Sequence, residues 1–146
     1  MSYAVKSYMT KEVHTINSEV TVLEAAKAMA EKDGGYQGYL IVLKQGSPVG
    51  IVTERDFVTK VLAKGVNPST TKVSDTMTTP LLTIDPDEDM LKASEIMRER
   101  GIRKLPVVRN GIIYGIITAD DIAQKCGSYI DKTVKDIIRW TAPLGL

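Results

Sequence analysis

The stretch "GIVTERD" at residues 50–56 closes one apolar run, and "GIITADD" at residues 115–121 closes another. In both, Gly is followed by Thr three positions on and by Asp three further: Gly50, Thr53 and Asp56, then Gly115, Thr118 and Asp121. An apolar run that gives way to an N-cap residue type and then a carboxylate reads as a strand turning into a helix. The same corner made twice at the same spacing points to an internal repeat.

Outward from the corners the repeat continues. "YMTKEVHTI" (8–16) lies over "TMTTPLLTI" (76–84), and Met9, Thr15, Ala25 and Met29 fall on Met77, Thr83, Ala93 and Met97 at a shift of about 68 positions. The shift drops to about 65 after "GGYQGY", which has a shorter counterpart in the second copy, and "LIVLKQGSPVGIVTERD" then lies over "LPVVRNGIIYGIITADD". Each copy reads as strand, helix, strand, strand, helix. Thr21 and Glu24 make a capping box for the first helix. Its apolar face is Val22, Leu23, Ala25, Ala26 and Met29, and Met90, Leu91, Ala93 and Met97 repeat it in the second copy. Asn110-Gly111 suits a type I′ hairpin turn, and Gln45-Gly46 takes the same place in the first copy. The spacing therefore predicts an α/β (α+β) fold with one repeat over 1–70 and a second over 71–127. A tail over 128–146 is expected to pack on them as a helix, since residues 132–140 echo 71–78. A repeat of about 60 residues buries little alone, so the two are expected to pack through their sheets about a pseudo-twofold axis.

Composition excludes several classes of function. With 146 residues, 43% hydrophobic and 25% charged, the chain has ordinary globular usage. Its net charge of +1 gives no global pull toward nucleic acid or acidic lipid. The longest apolar stretch, near residues 39–43, is too short to span a bilayer, and no signal segment is apparent, so a cytoplasmic protein is expected. The single cysteine, Cys126, and single histidine, His14, give no soft-metal set. Cys126 is read as packing and His14 as a surface residue. No nucleophile–base pair or carboxylate pair suggests an enzyme.

The corner itself admits two readings. In the first, Thr53 and Thr118 cap their helices while Asp56 and Asp121 reach back at N3. In the second, Gly50 and Gly115 allow a ligand or another backbone to come close, and the carboxylate accepts the hydroxyls of a ribose.

These features together, with "MT" before a "TI" strand, "LPVV" and the paired G-h-h-T-x-x-D corners (h apolar), resemble tandem cystathionine-β-synthase (CBS) domains, the arrangement called a Bateman module. The resemblance covers about residues 5–127 and implies β-α-β-β-α repeats with two clefts for adenosine-containing ligands: AMP, ADP, ATP or S-adenosylmethionine. It assigns Asp56 and Asp121 to ribose hydroxyls and Thr53 and Thr118 to the ribose or phosphate. Thr15, Ile16, Thr83 and Ile84 match the strand edge lining the adenine pocket, and Arg103, Lys104 and Pro106 match its flank.

The copies differ. Arg55 precedes the first Asp, whereas Asp120 precedes the second, and Arg103 stands where the first copy has Gly38. Unequal sites are expected. Tyr36 and Tyr39 are read as strand-edge packing, with purine stacking the alternative. The functional expectation is a homodimeric regulatory module that reports an adenosyl ligand to an unidentified effector protein, without membrane attachment. The alternatives are a ligand-free scaffold and a weak nucleic-acid binder.

Overall fold

The computed structural model describes residues 3–30 and 36–125, so the expectations for Cys126 and the tail over 128–146 lie outside the described residues. Four α-helices and two sheets form among the described residues, in two compact units: one is residues 13–82, the other residues up to 12 together with those from 83 onward.

The first unit runs β1 (Thr15–Asn17), α1 (Val22–Ala30), β2 (Tyr39–Lys44), β3 (Ser47–Thr53) and α2 (Glu54–Phe57). A π-turn over Val58–Leu62 continues α2, and a 3-10 turn follows at Val73–Asp75. The sheet order is β1-β2-β3, with β1 parallel and β3 antiparallel to β2. The Glu24 N–H donates to Thr21 Oγ1 at 3.1 Å, so α1 starts where the capping box places it. Gln45 and Gly46 turn the β2–β3 hairpin with φ of 52° and 81°, the paired positive values of a type I′ turn. The core gathers Ala25, Met29, Leu40, Val42, Val52 and Val73. Each fully buried Leu or Met contributes about 1.5–3 kcal/mol over leaving it exposed.

The second unit repeats the plan with α3 (Met90–Arg100), β4 (Lys104–Arg109), β5 (Ile112–Thr118) and α4 (Ala119–Lys125). Asn110 and Gly111 turn its hairpin at φ of 53° and 76°. Asp89 caps α3 by accepting the Leu91 N–H at 2.7 Å, and Gly101 closes that helix in the left-handed region at φ 64°.

Three expectations need correction. The first strand of the second copy shrinks to a single parallel bridge, Ile84 with Val107. In the first unit, β1 is extended by bonds from the Ile41 N–H to the His14 carbonyl and from the Ser18 N–H to the Leu43 carbonyl. Pro106 and Pro86 occupy those donor positions in the second copy and have no N–H. The helix faces are also narrower than the periodicity implied: Leu23 and Leu91, at matching positions, are exposed. Finally, His14 is buried, with its ring centroid 5.8 Å from that of Tyr39.

The opening segments cross over between copies. Thr10 lies in the first sequence repeat, yet it exchanges both backbone hydrogen bonds with Ile116 on β5, at 2.8 and 2.9 Å. Thr78, its counterpart, does the same with Ile51 on β3, at 2.7 and 3.2 Å. The compact units therefore part from the sequence repeats 1–70 and 71–127 at these segments.

Candidate functional site

The corner of the first unit forms because β3 ends at Thr53, whose extended backbone (φ −129°, ψ 172°) presents its N–H to the following turn. The Asp56 carboxylate is buried and turns back on that corner: Oδ2 accepts the Thr53 N–H at 2.9 Å and the Thr53 hydroxyl at 3.3 Å. Its other oxygen, Oδ1, accepts the Thr78 hydroxyl at 2.8 Å and faces the Lys60 ammonium at 2.9 Å. Lys60 also donates to the Thr76 carbonyl at 3.0 Å.

The second unit builds the same network. Asp121 Oδ2 accepts the Thr118 N–H at 3.1 Å, and the Asp121 N–H donates to Thr118 Oγ1 at 2.9 Å, a reciprocal capping box. Asp121 Oδ1 accepts the Thr10 hydroxyl at 2.9 Å and faces Lys125 Nζ at 3.1 Å, while Lys125 donates to the Tyr8 carbonyl at 3.1 Å. A carboxylate offers about four lone-pair sites. Asp56 fills all of them and Asp121 all but one.

The strand glycines serve the crossing segments. A Cβ at Gly115 would lie 2.6 Å from the Thr10 carbonyl oxygen and 2.8 Å from Met9 Sδ. At Gly50 the nearest atoms are Met77 Sδ at 2.8 Å and the Thr78 carbonyl oxygen at 3.0 Å. Of the two partners the residues admitted, ligand or backbone, a backbone fills the space in both units.

The remaining sequence-predicted residues are partly gathered. Lys104 pairs in register with Thr118, and the Ala119 N–H donates to the Arg103 carbonyl, so Arg103, Lys104, Thr118 and Asp121 share one corner. Arg103 is half-buried, its Nη2 3.4 Å from Asp120 Oδ1 and its Nε buried without a hydrogen-bond partner. Pro106 lies buried within β4. Arg55 is exposed on α2. Thr15 is exposed and Ile16 half-buried on β1, which β2 separates from β3 and its corner. Thr83 is exposed and Ile84 buried, on the edge of β4 away from β5. Tyr39 is buried opposite Thr53, as packing requires. Tyr36 is exposed, and desolvation together with its hydrogen bond to the Glu54 carboxylate pushes its phenol up to about 12.

Sequence reasoning missed Thr10, Thr78, Lys60 and Lys125. Their signal was present: a Lys four positions after each corner Asp, and Met-Thr at both ends of the shift. A second anchor holds the opening segment of the second unit. Lys6 Nζ lies 2.7 Å from Asp87 Oδ1, and Arg109 grips Asp85 through both carboxylate oxygens (2.6 and 2.9 Å) and also meets Asp87. The Lys6 ammonium first, then Arg109, hold the Asp87 carboxyl down at about 2. Among the described residues no cluster of His, Cys, Asp and Glu is arranged to hold a metal, and no helix is long and apolar enough to cross a membrane.

Residues 5–63 and 73–127 each match the CBS domain. A protein of Methanopyrus kandleri is 37% identical over 124 residues, an alignment spanning 84% of this chain and 62% of that one. The chain thus corresponds to less than two thirds of that relative. The CBS domain-containing protein YhcV of Bacillus subtilis is 33% identical over 82% of this chain and 83% of its own length. Among solved structures, the hexameric CBS-CP12 protein from bloom-forming cyanobacteria superposes with a TM-score of 0.78 at 31% identity, covering 98% of this chain and 80% of that one. Two repeats of the right topology, each ending in the same Gly-Thr-Asp corner, and relatives that carry the same pair place this chain in the CBS domain family, as a tandem pair.

Proposed function

We propose that the chain is a regulatory module whose corners bind an adenosine-containing ligand, AMP, ADP, ATP or S-adenosylmethionine, and pass its occupancy to an effector protein by conformational change. In this reading Asp56 and Asp121 take the ribose hydroxyls and Thr53 and Thr118 lie beside the ribose or phosphate. The observation that carries it is the repeated corner. Two buried carboxylates stand at equivalent places, and the outermost partner of each is a lysine on a flexible, part-exposed stem that a ligand hydroxyl can replace. The ligand acts only as far as it prefers one state of the module over another. Catalysis is not part of the proposal. A homodimer in the cytoplasm is; the hexamer of the cyanobacterial CBS-CP12 protein supports self-association.

The corners are unequal in charge. Arg55 stands exposed beside Asp56, whereas Arg103 leans on Asp120 beside Asp121. The first corner is therefore assigned the more phosphorylated ligand. One observation favours a second reading, a ligand-free scaffold: the protein's own groups already engage both oxygens of each carboxylate.

Thermal melts with the four compounds, followed by calorimetry with ATP and adenosine, test the choice. The module reading expects a raised Tm and two unequal sites, and Arg55→Gln should weaken ATP binding while leaving adenosine binding in place. Melting temperatures unmoved by all four compounds establish the scaffold instead. Alanine at Asp56 or Asp121 is a poor separator, because removing either carboxylate also unpins its opening segment.

A further inference from the structure

We infer that Lys125 and Lys60 are built-in competitors of the ligand: each ammonium occupies its corner carboxylate and straps it to the Met-Thr opening segment until a diol displaces it. This rests on the ligand reading above and adds to it a device that couples binding to the loosening of a specific segment.

The argument is one of acceptor capacity. A ribose offers two hydroxyl donors, and the corner carboxylate must supply lone pairs for them. Asp56 has none to spare and Asp121 has one. The Thr53 and Thr118 N–H groups belong to the corner's own main chain and stay, whereas the Thr53 hydroxyl, 3.3 Å from Asp56, can turn away. The donor that must leave at both corners is the lysine ammonium; without it Asp121 has two lone pairs open, and Asp56 has two once the Thr53 hydroxyl turns.

Lysine leaves readily, since Lys60 and Lys125 have side chains 39% and 41% exposed and lose little on returning to water. Its departure also frees the Thr76 or Tyr8 carbonyl that it bridges to the carboxylate. The segment is then held by the Thr78 or Thr10 hydroxyl on the carboxylate and by the paired backbone bonds of Thr78 with Ile51 or Thr10 with Ile116. The same set of atoms occurs in both units, so the coupling is a property of the repeat and not an accident of one corner.

The test uses the full chain with AMP as probe. Lys125→Gln and Lys60→Gln remove the competing ammonium, each from a part-exposed position where folding is not at stake. Each variant should bind AMP more tightly at its own corner, by about two- to fivefold, the worth of a part-exposed ion pair. In the wild-type protein AMP should speed hydrogen exchange at the Thr10 and Thr78 amides, the reverse of the slowing that ligands ordinarily cause. If AMP binds the wild type while these variants bind it equally or more weakly, or if those amides slow, the competition is overturned and the ligand reading stands. If AMP, ATP, adenosine and S-adenosylmethionine bind neither the wild type nor any variant, the ligand reading falls and takes the coupling with it.

Discussion

Gly50 and Gly115 are the residues on which the corners turn, because nothing larger lets a second backbone lie against the strand. Their costs of substitution differ. At Gly115 the nearest obstacle is a hydrogen-bonded carbonyl oxygen at 2.6 Å, whereas at Gly50 it is the end of a methionine side chain that can swing aside, with the carbonyl oxygen of Thr78 farther off at 3.0 Å. Gly115→Ala should therefore cost about 1–3 kcal/mol, as overpacked sites do, and Gly50→Ala should sit at or below the low end of that range. Urea unfolding checks this: the midpoint should fall at constant slope in both variants, and further for Gly115→Ala than for Gly50→Ala, with equal losses contradicting the account. At this scale the sequence displayed the Gly-Thr-Asp spacing and offered capping as one of two roles for the aspartates. It did not display what lay on the glycine, since Thr10 and Asp121 stand 111 positions apart and no local pattern links them.

Elements were more legible than residues. Both capped helices and both two-residue hairpins lie where periodicity and turn chemistry put them, because those signals are local and repeat in both copies. The first strand of the second copy is the exception. Alignment to "TI" suggested a strand there, but the prolines that silence the neighbouring donors outweigh the match. Pro86→Ser restores a donor where Ser18 has one, and its N–H should then pair with the Val108 carbonyl as that of Ser18 does with Leu43. Hydrogen exchange at residue 86 reads the outcome directly. Protection comparable to that of Ser18 is expected, and exchange at the rate of an open amide would mean that proline is not what shortens the strand.

At the scale of the whole chain, repeat boundaries and folding boundaries differ. Cutting after residue 70 removes Val73 from the first core and Thr78 from Asp56, whereas residues 13–82 keep both. The piece 13–82 should therefore melt cooperatively in circular dichroism at a higher temperature than the piece 1–70; equal melting would show the crossing segment to be dispensable. The repeat itself was visible in the sequence, but the crossing was not, because aligning two copies says which residues correspond and nothing about which copy they touch. A single copy made alone carries an arm whose corner, in this chain, belongs to the other copy, and exchanging arms with a second molecule would restore the contact. Joining two copies in one polypeptide makes that exchange intramolecular. Each arm is then matched to the other copy's corner, so a difference between the copies such as Arg55 against Asp120 leaves both arm contacts in place.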